Sequence, residues 1–386
     1  MSEATQPPWA RPNIFGAAPK NSPYGMRSVS RRDLVFENLE DLQKTIADGK
    51  EKLGLVWSPA QPHLVPPEEI EELWPALDTR ERLLAGEQAE KGFKGTLLFG
   101  AILLWIAFNN WSLLGFGFVR TQAFGLGAIL LVIFGLWPWW WGRRSVKKSV
   151  AGHDLAAEIP EARFDLWITR QKVHVIWVIL ALITIVSAAQ FLPSDGIAAA
   201  GIIKENVRLG ENWRILTGAF LHGMPLHFLM NASALWFFGK RVEILASWPH
   251  FLAVLLFSIL TAGWATVAFL PSVNSVGISG GIAGLLGFLL VFETLHAKLV
   301  PKTARRRLLA TLVLMAVIGA IGFQFIDNAA HLGGLLGGMA YAIIVFPKSS
   351  SALRPKTLTQ DRVLGIASGL VLLSTAVFAI FRIVTA

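Results

Sequence analysis

Nine predominantly apolar runs, at about 96–119, 123–141, 173–193, 226–247, 251–270, 279–296, 308–325, 329–346 and 363–385, set the rhythm of the chain. A helix rises 1.5 Å per residue, so the 21 residues of 173–193 reach about 31 Å, close to the hydrocarbon thickness of a bilayer. The pattern predicts an all-α polytopic membrane protein of nine spans. Only Arg120-Thr121-Gln122 separates the first two runs, which therefore form a tight transmembrane hairpin. The second run ends in Trp137-Pro138-Trp139-Trp140-Trp141, followed by Arg143, Arg144, Lys147 and Lys148. Tryptophans beside a basic cluster mark a cytoplasmic boundary.

Residues 1–95 are polar and open on a Pro-rich stretch without the apolar core of a secretory signal. Leu39, Leu42 and Ile46 then recur at helical spacing, and a second helical pattern runs from Glu68, after Pro66-Pro67, to about Gly92. The expected division is a cytoplasmic helical region (1–95), the hairpin (96–141), a cytoplasmic linker (142–172) and a six-helix core (173–346). A cytoplasmic loop (347–362) and a seventh core-side helix (363–386) complete it.

Composition agrees with a bilayer: 53% of 386 residues are hydrophobic, with a mean hydropathy of +0.52. The absence of cysteine excludes a disulfide framework and thiol chemistry. A net charge of +9 does not point to nucleic acid, because the bases lie mostly in short loops between apolar runs. Lys298, Lys302 and Arg305 to Arg307 occupy one such loop, and Lys348, Arg354, Lys356 and Arg362 another, while 271–278 and 326–328 carry none. Positive-inside reasoning puts the N-terminus in the cytoplasm and the C-terminus outside, most simply across a bacterial inner membrane. It places Ser279 and His331 near the outer ends of their helices.

Those two residues carry the candidate chemistry. Ser279 sits among Gly277, Gly280, Gly281, Gly284 and Gly287, and His331 precedes Gly333, Gly334, Gly337 and Gly338. A serine hydroxyl is a weak nucleophile until a base takes its proton, and an ionisable group inside a membrane is expensive to keep. On helices, Ser279, Ala283 and Gly287 share one face, and His331, Gly334 and Gly338 another, so two helices with small residues at contact could bring hydroxyl and imidazole together. Taken singly, each glycine stripe reads as plain helix packing. A serine facing a histidine across them reads as a site.

The connection 194–225 ends near His222, and His227 and Asn231 follow four residues apart on one helical face. An Asn amide, an imidazole N–H and the backbone N–H of the serine could hold the oxyanion of a tetrahedral intermediate; the alternative is a polar patch that bonds neighbouring helices or caps one. Asp327 and Asn328 are candidate caps for the helix of His331, and Asp327 lies one turn from the imidazole it could also orient. His-x4-His without HExxH is a poor zinc-protease pattern, and the apolar runs hold no pair of acids.

Together, Trp213-Arg214, the His222/His227/Asn231 series, Gly239-x3-Glu243, Gly277-Ile278-Ser279-Gly280 and Ala330-His331-x2-Gly334 resemble the rhomboid family of intramembrane serine proteases. The resemblance covers about residues 173–346. It implies Ser279 as nucleophile, His331 as general base and then acid, and an oxyanion site from His227, Asn231 and the Ser279 backbone with His222 assisting. It further implies that Arg214 belongs to a membrane-lying loop, that Glu243 holds the cytoplasmic side, and that no cofactor or metal is used. Its substrate would be the transmembrane helix of another protein within the lipid bilayer, cut near the outer face. Where the family often has an aromatic residue stacking on the imidazole, this chain has Ala283. The rival readings are a non-proteolytic binder or chaperone of membrane proteins, and a transporter with a histidine proton relay. The natural substrate and the oligomeric state are not legible.

Overall fold

The computed structural model describes residues 6–19, 23–150, 154–190, 195–270 and 274–386. They fall into two compact units: the described residues of 8–170 with 320–325, and residues 6–7 with the described residues of 171–319 and 326–386.

The first unit adds a small sheet to the polar, helical region expected at the N-terminus. Strands β1 (Tyr24–Arg27), β2 (Asp33–Phe36), β3 (Leu55–Ser58) and β4 (Gln61–Val65) form an antiparallel sheet in the order β2-β1-β3-β4, with α1 (Leu39–Ala47) between β2 and β3 in sequence. Four- and five-residue strands are too short for alternation to be read, and all four residues of β3 are buried, so no polar face signals it. The predicted helical positions Leu42 and Ile46 do lie in α1, buried against Met26 and Val56 of the sheet. Asn38 caps α1 by accepting from the Asp41 N–H at 2.8 Å. Arg27 and Asp33 clamp the first hairpin with two hydrogen bonds of 2.6 and 2.8 Å.

Helix α2 (Trp74–Leu114) runs unbroken from this region into the first apolar run. A 3-10 turn over Gly115–Arg120 leads to α3 (Gln122–Leu131), and a π turn over Val132–Leu136 continues it into α4 (Trp137–Val150). The hairpin loop is thus longer than the three residues expected. Its arms meet backbone to backbone, since a Cβ on Gly95 would lie 2.1 Å from the Phe134 carbonyl oxygen. Arg143 and Arg144 lie over the Trp139 and Trp140 rings, while the side chain of Lys148 falls outside the described residues. Helix α5 (Ile159–Arg170) ends the unit, and its Arg163 binds Glu69 and the carbonyls of Trp9 and Arg11.

Glu68 lies near Glu69, Glu158 and Asp165, and burial, reinforced by these acids, pushes its carboxyl from 4.5 up to about 7. The native state therefore holds this proton more tightly than the unfolded chain, so stability falls as pH rises from about 4.5 to about 7. Glu68→Gln is expected to slow hydrogen exchange in β3 relative to the parent at pH 8 and to leave it unchanged at pH 4. Equal exchange at pH 8 would contradict this account.

The second unit begins with α6 (Val175–Ala189), followed by the short helices α7 (Gly196–Ala200), α8 (Lys204–Arg208) and α9 (Arg214–Thr217). The long helices α10 (Pro225–Leu245), α11 (Trp248–Phe269), α12 (Ser279–Leu295), α13 (Lys302–Ile321), α14 (Asn328–Val345) and α15 (Thr359–Val384) complete the chain. All nine predicted apolar runs carry helix, although residues 191–193 of the third lie outside the described residues. Among the described residues, five helical segments are long and apolar enough to cross a membrane, or up to six if residues 156–170 and 175–189 count together as one span. Helix α10 carries Lys240, Arg241 and Glu243, and α12 is short, so length and apolarity do not by themselves qualify them.

Helix α12 is apolar all round and buried along most of its length, the signature of a central helix. It packs on α10, α11 and α14. At 17 residues it spans about 26 Å, a few ångströms less than the hydrocarbon core. Far from its serine end, Glu293 is fully buried and takes two hydrogen bonds from Arg241 of α10, at 2.6 and 2.9 Å. Breaking such a pair strands a desolvated charge. Arg241→Ala is accordingly expected to cost about 3–5 kcal/mol in a detergent unfolding titration, whereas exposed Lys298→Ala should shift it by less than about 0.5 kcal/mol.

Candidate active site

Ser279 is the first residue of α12 and His331 lies in the first turn of α14. Their helices touch along glycines: a Cβ on Gly334 would lie 1.9 Å from the Gly280 carbonyl oxygen, and one on Gly338 would lie 1.8 Å from that of Gly284. Sequence periodicity points to the face of Ser279, Ala283 and Gly287; closest approach instead runs along Gly280, Gly284 and Gly287. The serine sits at the edge of this seam, and its Oγ lies 2.8 Å from His331 Nε2. That is hydrogen-bond distance for an O–H donor. Both residues are half-buried, so the pair is reachable. Ala283 is buried, and among the described residues no aromatic ring stacks on His331.

Gly277 turns the chain into α12 with a φ of +113°, a conformation that glycine adopts without the penalty of a Cβ. It also lies against the polar cluster of α10: a Cβ there would sit 2.7 Å from His227 Cε1 and 3.3 Å from Asn231 Nδ2. The Gly277 N–H donates to the Gly218 carbonyl at 2.9 Å, which fixes this approach. His227, Asn231 and the turn before Ser279 are thereby brought together.

His222 lies beside them, with its ring centroid 5.2 Å from that of His227. Ser187 Oγ is 3.0 Å from its Nδ1, and Gln190 clasps its backbone, accepting from the N–H at 2.9 Å and donating to the carbonyl at 2.6 Å. Ser187 and Gln190 escape a sequence reading because they lie at the end of an apolar run, where a hydroxyl or an amide carries no distinguishing pattern. Among the described residues, His222 Nε2 and Asn231 Nδ2 find no hydrogen-bond partner, although both are buried. A buried amide left without its hydrogen bond costs about 1–3 kcal/mol, so the Asn231 N–H group is placed to meet an acceptor that enters the site.

Asp327 caps α14, its Oδ1 accepting from the Ala330 N–H at 2.9 Å. Its Oδ2 accepts from the hydroxyls of Thr266 and Ser275, so it does not turn toward the imidazole. Asn328 donates to the Gly319 carbonyl at 2.9 Å.

The other motif residues brace the scaffold. Glu243 of α10 caps α6, accepting from the backbone N–H groups of His174, Val175 and Ile176 at 2.9 to 3.2 Å. Gly239 lets α10 meet Ile176 and Phe251, which a Cβ would approach to 2.6 and 2.9 Å. Buried Arg214 donates to the carbonyls of Ala198 and Gly201 at 3.0 and 3.1 Å and to Glu211, pinning the segment between α6 and α10. The Arg214 guanidinium holds the Glu211 carboxyl below its usual range, with Asn206 adding a second hydrogen bond. Trp213 stacks beneath Arg214 and Arg382, 4.5 and 5.0 Å from its ring centroid. Among the described residues, no group of three or more His, Asp or Glu side chains is arranged to hold a metal ion.

The architecture is that of a helical, multi-pass membrane protein whose central helix begins at a serine in contact with a histidine. Residues 209–348 match the Rhomboid domain family. It is 35% identical over 173 residues to the rhomboid protease GluP of Bacillus subtilis, covering 43% of this chain and 33% of that one. RHOMBOID-like protein 6, mitochondrial, of Arabidopsis thaliana is 33% identical over 149 residues, 38% of this chain and 48% of that one. The rhomboid protease GlpG of Yersinia enterocolitica is 31% identical over 145 residues, 36% and 50% respectively. The chain spans about a third to a half of the length of these curated relatives.

Proposed function

We propose that this protein is an intramembrane serine endopeptidase that cleaves the transmembrane helices of protein substrates near the outer membrane face. The observation that carries this reading is the 2.8 Å contact between Ser279 Oγ and His331 Nε2, beside the buried Asn231 amide, which has no hydrogen-bond partner among the described residues. The match to the rhomboid family and the relatives named rhomboid proteases support it. With the imidazole protonated at Nδ1, Nε2 accepts the Ser279 proton as Oγ attacks a substrate carbonyl. The oxyanion that forms takes hydrogen bonds from Asn231 Nδ2, His227 and the Ser279 backbone N–H, with His222 beside them. His331 then protonates the departing amine, the peptide C–N bond breaks, and water repeats the sequence on the ester. A membrane helix hides its carbonyls in its own hydrogen bonds, so it must unwind before it is cut, and helix-breaking residues near the scissile bond favour that.

The basic loops put residues 1–95 in the cytoplasm and the C-terminus outside, with a bacterial inner membrane as the simplest setting. The test is to reconstitute the purified chain in proteoliposomes with a panel of tagged single-span helices and to map new N-termini by mass spectrometry. Cleavage within or beside a membrane segment, with a fluorophosphonate probe captured on Ser279, is the expected result. Tight binding of helices with neither cleavage nor labelling would favour the non-proteolytic reading. Asn231→Ala removes one oxyanion donor and should lower kcat by about a hundredfold with little change in KM.

A further inference from the structure

Near the dyad, a largely buried polar network joins segments that lie far apart in sequence. Lys204 of α8 is 1% exposed; its Nζ donates to the Leu270 carbonyl at 2.5 Å and lies 3.9 Å from Asp327 Oδ2. That same oxygen accepts from Thr266 of α11 and from Ser275, four residues before Ser279. Ser275 is itself tied to Ile202 by backbone hydrogen bonds of 3.0 and 3.1 Å, two residues from Lys204. The other Asp327 oxygen holds the first turn of α14, four residues before His331. A cavity of about 30 Å³, room for about one water molecule, lies between Ser275, Ser279, Asp327 and Ala330.

We propose that Asp327 is a positioning residue for both members of the dyad, with buried Lys204 as its counter-ion. The inference rests on the proteolytic reading above. A helix cap needs one oxygen, and Ser, Thr or Asn would supply it. Here the second oxygen reaches across to the strand-like segment that feeds the nucleophile, so one planar group measures the distance between the serine arm and the histidine arm. Charge-assisted bonds to two hydroxyls are stronger and more directional than neutral ones, and the Lys204 ammonium lies close enough to complement the carboxylate. The role matters because a displacement of about 1 Å between reacting groups can cost about a hundredfold in rate.

The test compares Ser275→Ala, Asp327→Asn, Lys204→Met and the Lys204→Met/Asp327→Asn double variant with the parent and Ser279→Ala, each as the full chain in proteoliposomes. For each, kcat, KM, the rate of fluorophosphonate labelling and the melting temperature are measured. Ser275→Ala should lose about tenfold in kcat and Asp327→Asn about a hundredfold, with KM within about twofold and labelling slowed in parallel. The double variant discriminates: removing both charges of the pair should restore the melting temperature lost in the single charge variants while kcat stays low. Parental kcat in Ser275→Ala and Asp327→Asn, or recovery of kcat together with stability in the double variant, would overturn the positioning role and leave the protease reading intact. A parent no more active or reactive than Ser279→Ala would overturn both. Should Asp327→Asn fail to fold, Ser275→Ala, which deletes one oxygen atom, decides the matter.

Discussion

Ser279→Ala is expected to abolish cleavage, a loss of at least about 10⁵-fold in kcat. The substitution deletes the atom that contacts His331 Nε2 and that the proposed mechanism uses as nucleophile, and leaves the glycine seam and the polar side chains of α10 in place. Binding of the substrate helix and the melting temperature should stay close to parental, so the loss appears in kcat rather than in KM. His331→Ala should be nearly as damaging, because an alcohol without its base is protonated at neutral pH. The double variant should be no worse than either single one, since the two side chains act as a unit. Single-turnover cleavage of a reconstituted substrate, read by gel and by mass spectrometry, measures all three. Cleavage by purified Ser279→Ala at the parental rate would end the serine-protease account.

The second large effect is expected from a single methyl group. Gly334 lies one turn from His331, and a Cβ there would sit 1.9 Å from the Gly280 carbonyl oxygen and 3.2 Å from Gly280 Cα. The atoms in the way are backbone, which cannot rotate aside, so Gly334→Ala must push α12 and α14 apart by more than about 1 Å to reach ordinary contact. Ser279 and His331 ride on those helices, and their 2.8 Å hydrogen bond would open with the seam. A loss of about a hundredfold or more in kcat follows, with slower fluorophosphonate labelling. Gly100→Ala is the control, because a Cβ at Gly100 meets nothing within 4 Å, and it should leave activity unchanged. Parental activity in Gly334→Ala would show that the glycine seam does not set the dyad spacing.

Much of the membrane core is legible without coordinates. Long apolar runs announce α6, α10 to α12, α14 and α15, because a chain without water must satisfy its backbone internally and a helix is the local way to do so. Ser279, His331, His222, His227 and Asn231 stand out for a related reason: polar groups amid apolar sequence are costly to keep. The N-terminal sheet is invisible to the same reasoning, since β3 is four residues long, wholly buried, and makes sense only once β1 and β4 lie beside it. Glu243 is legible as a motif residue, but its partners, the N–H groups around Val175, are 67 to 69 positions away.

Local order was therefore decided by the sequence alone: which segments are helical, where glycines allow close contact, and which side chains carry chemistry. These follow from short-range rules of hydrophobic period and backbone sterics, which act within a few residues. Tertiary structure alone decided that Gly280 rather than Ala283 faces α14, that Asp327 turns toward Ser275 instead of His331, and that Lys204 is buried beside it. Periodicity gives a helix its faces but not its neighbours, and a polar side chain chooses among partners only after packing has brought them within hydrogen-bond reach.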